Sequence, residues 1–85
     1  MSSTLYVGNL EPSTTIEDLG SLFTNYGDVE NINIVEDRET GRPKGFGFVK
    51  FTDNDAADKA IAALNGSNFK NRVLRVNIAQ TRSTQ

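Results

Sequence analysis

Four runs of the chain, residues 5–10, 29–35, 44–51 and 72–79, read as β-strands, and their side chains sort with a period of two. That period belongs to strands with two unlike faces. One face collects Leu5, Val7, Ile32, Ile34, Val49, Phe51, Leu74, Val76 and Ile78. The other collects Tyr6, Gly8, Asn33, Val35, Phe46, Phe48, Lys50, Val73, Arg75 and Asn77. Only the first is uniformly apolar, so a second layer must cover it. Burying the other face instead would take Lys50 and Arg75 out of water with no evident carboxylate partner.

Two helical runs supply the second layer. Thr15, three residues before Asp18, forms a capping-box pattern with Asp in place of the usual Glu. Behind it Ile16, Leu19, Leu22 and Phe23 recur at helical spacing until Tyr26-Gly27. Gly20 inside this run costs about 1 kcal/mol relative to Ala, which suggests a close-packing requirement. Thr52 with Asp55, or Asp53 alone, caps a second helix with the stripe Ala57, Ala60, Ile61 and Leu64, and Asn65-Gly66 provides a left-handed stop. Asp37 to Pro43 reads as a polar hairpin loop. Residues 68–71 read as a short irregular connection, with Asn71 where a turn needs positive φ.

The order is therefore β-α-β-β-α-β. Right-handed crossovers place both helices on one face of a four-stranded antiparallel sheet of order 4-1-3-2, an α+β ferredoxin-like sandwich. At 85 residues the chain has room for a single domain, residues 1–85, with polar ends that fray.

Composition removes several chemistries. The chain has no Cys and no His, which excludes disulfides, thiol catalysis and thiolate zinc sites, and removes the commonest general base. No cofactor and no metal are expected. Glu17-Asp18 and Glu36-Asp37 fall at a helix start and a turn, which is not a catalytic dyad. No apolar run approaches the roughly 18 residues of a membrane span, and the first residues lack a signal-peptide pattern. An intracellular, cytoplasmic chain with no membrane contact is expected, an organellar or nuclear location being the alternative. The formal net charge of −2 hides an asymmetry. Residues 1–37 carry seven acids and no Lys or Arg, while residues 38–85 carry all nine bases against four acids. Such a division points to an anionic partner.

Lys44-Gly45-Phe46-Gly47-Phe48-Val49-Lys50-Phe51 fits the RNP1 pattern of the RNA-recognition motif at every specified position, and Leu5-Tyr6-Val7-Gly8-Asn9-Leu10 resembles its companion RNP2 hexamer. The resemblance runs from about residue 4 to residue 80 and is nearest to small single-motif RNA-binding proteins of bacteria or organelles. It implies that Tyr6 and Phe48 stack two unpaired bases, with Phe46 against the sugars or a base edge between them. Lys44 is placed to pair with a phosphate, and Lys50 lies further along the same face. Arg75, Asn77, Asn33 and the exit at Gln80 are placed to read base edges. The resemblance gives Asn9 the task of holding the end of the first strand, with an RNA contact in some members. Arg38 and Arg42 read as solvated hairpin charges.

The expected function is non-catalytic binding of single-stranded RNA, with single-stranded DNA the nearest variant partner, by a monomer. The alternative keeps the fold and docks a protein on it. An enzyme fits poorly, because Gly45-x-Gly47 does not extend to a dinucleotide fingerprint and no Walker pattern exists.

Overall fold

The structure, a computed structural model, describes residues 2–79. Strands β1 (Ser3–Gly8), β2 (Val29–Glu36), β3 (Pro43–Phe51) and β6 (Arg75–Ile78) form one antiparallel sheet in the order β2-β3-β1-β6. Helices α1 (Ile16–Phe23) and α2 (Asn54–Leu64) separate them, and β4 (Asn68–Phe69) with β5 (Arg72–Val73) makes a small separate ribbon. With β6 as the fourth long strand, this is the 4-1-3-2 order that the element sequence dictates.

The apolar face of the sheet meets the helices. Leu5, Val7, Val49, Phe51 and Val76 are buried against Leu19 and Phe23 of α1 and Ala56, Ala57, Ala60 and Leu64 of α2. Phe23 meets Phe51 edge-on at a ring separation of 6.1 Å. The capping box at α1 is complete: the Asp18 N–H donates to Thr15 Oγ1 (3.1 Å) and the Thr15 N–H to Asp18 Oδ2 (3.0 Å). At α2 the cap is Asp53, whose Oδ1 accepts from the Asp55 N–H. Gly66 then ends the helix at φ 85°.

Four details differ from the periodic reading. Ile16 heads the α1 stripe yet is 51% exposed, because it sits at the first helical position, before the stripe turns onto the sheet. Gly20 is not demanded by packing: a methyl group there would touch only Ile32 Cδ1, at an ordinary 3.6 Å. The segment 68–71 is ordered as the hairpin β4–β5, with Lys70 (φ 53°) and Asn71 (φ 67°) as consecutive left-handed turn residues. Such pairs match the twist of a two-residue hairpin. Finally, the last strand is interrupted at Leu74. Its side chain is buried, its N–H donates to Ser67 O and its carbonyl accepts from Gly66, both at 2.8 Å. Those bonds tie Leu74 to the hairpin base, so Val73 leaves the main sheet and is 52% exposed on the ribbon.

Candidate nucleic-acid interface

The face of the sheet opposite the helices is built from rows that cross the strands. Register places Asn77, Tyr6, Phe48 and Asn33 directly opposite one another, so one row reads amide, aromatic, aromatic, amide across all four strands. The next row is Arg75, Gly8 and Phe46, and the row on the other side is Thr4, Lys50 and Asn31. Three rings thus come together as the strand pattern requires. Tyr6 lies 5.7 Å from Phe46 at 32°, and Phe48 stands edge-on to both, 6.2 Å from Tyr6 and 6.1 Å from Phe46. All three are half-buried, which leaves ring surface open to a planar partner.

Two glycines make this arrangement possible. The Tyr6 ring occupies the space above Gly8. On the packed face, a Cβ at Gly47 would lie 2.4 Å from Asn33 O and 3.1 Å from Ile34 Cα, so only glycine lets β2 approach β3 behind the rings.

The polar residues divide into free and engaged. Lys44 and Arg75 are exposed and have no ion-pair partner among the described residues. Asn33 and Asn77 are exposed at opposite ends of the aromatic row. Lys50, by contrast, does have a carboxylate partner, which corrects the expectation: its Nζ lies 3.7 Å from Glu30 Oε1. The cause is a register shift between Val29 and Asn31. A bulge there frees Glu30 from strict alternation, which would have assigned it to the packed face. Glu30 is the site-rim residue that periodicity misses, and no sequence signal marks the bulge.

Asn9 is also engaged. It adopts φ 60°, its Nδ2 donates to Val73 O (2.7 Å), and its Oδ1 accepts from Arg72 Nη1 (3.3 Å). Both amide atoms bind β5, so Asn9 ties the end of β1 to the ribbon. Lys70 secures the ribbon from the other side through a 2.7 Å bond to Asp18 Oδ2. That ammonium, followed by the Thr15 N–H, holds the Asp18 carboxyl below its ordinary value. Near Lys44, the Asp37 carboxyl is lowered mainly by the N–H groups of Glu39 and Thr40. Gln80 lies outside the described residues.

No group of His, Cys, Asp or Glu among the described residues could hold a metal ion, and no described helix is long and apolar enough to cross a membrane. The shallow groove lined by Ile16, Thr24, Val29, Glu30, Asn31 and Ile32 lies between α1 and β2, at the rim of the sheet. It brings together no pair of groups suited to acid–base or nucleophilic chemistry.

An open cluster of aromatic rings flanked by amides and cations on this fold is the architecture of the RNA recognition motif. The family model of that name matches residues 5–75, and the chain belongs to the family. It is similar to the putative RNA-binding protein RbpE of Nostoc sp. (strain PCC 7120), with 49% identity over 78 residues, covering 92% of this chain and 79% of the relative. It is 46% identical over 82 residues to glycine-rich RNA-binding protein 1 of Mycosarcoma maydis, covering 96% of this chain and 47% of that one. The chain therefore spans under half the length of some relatives. Among solved structures, that of RNA-binding protein PG1 is similar with a TM-score of 0.90 at 41% identity, covering 96% of this chain and 99% of that one. The Rna15 motif with bound RNA (GU) gives 0.82 at 30% identity, covering 95% and 86%.

Proposed function

We propose that this chain binds short single-stranded RNA, and catalyses no reaction, by stacking two bases on Tyr6 and Phe48. The observation that carries the reading is the row Asn77–Tyr6–Phe48–Asn33, which lies on the one sheet face without a helical layer. Stacking is worth roughly 1–3 kcal/mol per base and serves every base. Phe46 packs beside the sugars, Lys44 and Arg75 meet phosphates or base edges, and the two Asn amides reach the edges of the stacked bases. RNA-binding relatives and the RNA-bound Rna15 motif support the ligand class. The proposal includes a monomer acting inside the cell. With two or three bases held, the Kd falls at about micromolar.

The test is a titration of ¹⁵N-labelled protein with a random RNA octamer pool, repeated with DNA octamers. Amide shifts centred on β1 and β3, lost in a folded Phe46→Ala/Phe48→Ala variant, are the expected result. An unperturbed sheet at about millimolar RNA, with the fold intact, overturns the reading and leaves protein docking to replace it.

A further inference from the structure

We propose that Glu30 and Lys50 form a guanine-reading pair at the β2–β3 rim of the platform, an inference that rests on the RNA-binding reading above. A carboxylate beside the one lysine on the row next to Phe48 is costly if that lysine serves only phosphates, because Glu30 repels the same phosphates that Lys50 attracts. The cost disappears if the pair meets a base edge. Both side chains are about half exposed, at 43% for Lys50 and 49% for Glu30, and stand 3.7 Å apart. Lys50 lies two residues beyond Phe48 on the same strand face, a spacing of about 7 Å. A base stacked on Phe48 with its Watson–Crick edge toward that row meets the pair.

Guanine alone satisfies the ammonium and both carboxylate oxygens at once. Its Watson–Crick edge presents the O6 acceptor followed by two adjacent donors, N1–H and N2–H₂. The ammonium donates to O6 while the two carboxylate oxygens accept from N1 and N2. Adenine and cytosine offer a single amino donor beside a ring-nitrogen acceptor. Uracil has one N–H between two carbonyls, so a carboxylate oxygen would face a carbonyl oxygen. Desolvated partly against the sheet, paired donors and acceptors discriminate where water alone does not.

The experiment measures the Kd of uridine octamers that carry one central guanosine, inosine or adenosine, for wild type, Glu30→Gln and Lys50→Met. In wild type, guanosine is expected to tighten binding about tenfold over adenosine, the scale of one bidentate base contact. Inosine, which lacks the N2 amino group, loses most of that gain. Glu30→Gln brings guanosine and adenosine within about twofold of each other and still binds the all-uridine octamer. Lys50→Met also narrows the preference. An undiminished guanosine preference in Glu30→Gln overturns the proposal, and so does a uniform gain in affinity for all octamers, which would make Glu30 only a repulsive charge. Wild-type binding that ignores the guanosine overturns the base assignment alone, whereas no binding to any octamer overturns the RNA-binding reading with it.

Discussion

The Tyr6 ring lies directly over Gly8: a methyl group added at Gly8 would come within 2.4 Å of the Tyr6 hydroxyl oxygen and 2.7 Å of two ring carbons. The glycine is therefore part of the platform without touching a ligand. Its absent side chain is what lets the phenol ring lie along the sheet beside Phe46, 5.7 Å away. Gly8→Ala forces the far end of the Tyr6 side chain to rotate away while the β1 register stays in place. The expected outcome is a loss of stability below about 1 kcal/mol, because a flexible side chain gives way rather than backbone. RNA affinity falls by about 1 kcal/mol or more, since one stacking surface is misplaced. Thermal unfolding and an RNA titration of the same variant separate the two effects.

Gly20 makes the opposite case. It lies within α1, and a methyl group there meets Ile32 Cδ1 at 3.6 Å, an ordinary contact. Gly20→Ala should stabilise the domain by about 0.5–1 kcal/mol through lower unfolded-state entropy and better helix propensity. For a domain of this size that corresponds to a rise in Tm of roughly 2–8 °C. RNA affinity should not change, because α1 packs on the covered face. A fall in Tm would show that the space beside Ile32 cannot accept a methyl group.

Acid sensitivity should include the contact between α1 and the β4–β5 ribbon. The Lys70 ammonium, then the Thr15 N–H, lower the Asp18 carboxyl in the folded chain. A folded value below the unfolded one means that the contact stabilises fully above the ordinary aspartate range. That stabilisation is lost as pH falls through the lowered folded value. Lys70→Met should move the Asp18 titration upward, and the pH profile of its stability should flatten at the acid end. Carboxyl-detected NMR titration reads the first effect directly, and an unmoved Asp18 would show that the ammonium does not hold it in solution.

How far the site was legible in the sequence depends on where alternation survives. β1 and β3 pair without interruption from Ser3 opposite Phe51 to Gly8 opposite Phe46, so parity alone assigned Tyr6, Phe46 and Phe48 to one face. The first two turns of α1 were legible through Thr15 and Asp18, because a capping box is a local device whose partners lie three residues apart. Glu30 was not legible, since a bulge shifts parity without leaving a compositional mark. Nor was the break at Leu74. Its two bonds to Gly66 and Ser67 join residues about a helix-stop and a hairpin apart, and neither periodicity nor turn residues declare such a pairing. The lysine partners were hidden for the same reason: Asp18 and Lys70 are 52 positions apart in sequence.

Salt dependence offers a reading of the phosphate contacts that is independent of the rings. Lys44 and Arg75 are exposed with no ion-pair partner among the described residues, whereas Lys50 is held by Glu30. If two or three phosphates are neutralised, log K should fall against log[salt] with a slope of roughly −1.4 to −2.1 for a single strand. Lys44→Met and Arg75→Met should each reduce that slope by about 0.7. Phe48→Ala should weaken binding at every salt concentration and leave the slope alone, because stacking releases no counterions. Equal slopes for wild type and both cation variants would place the phosphates elsewhere on the chain.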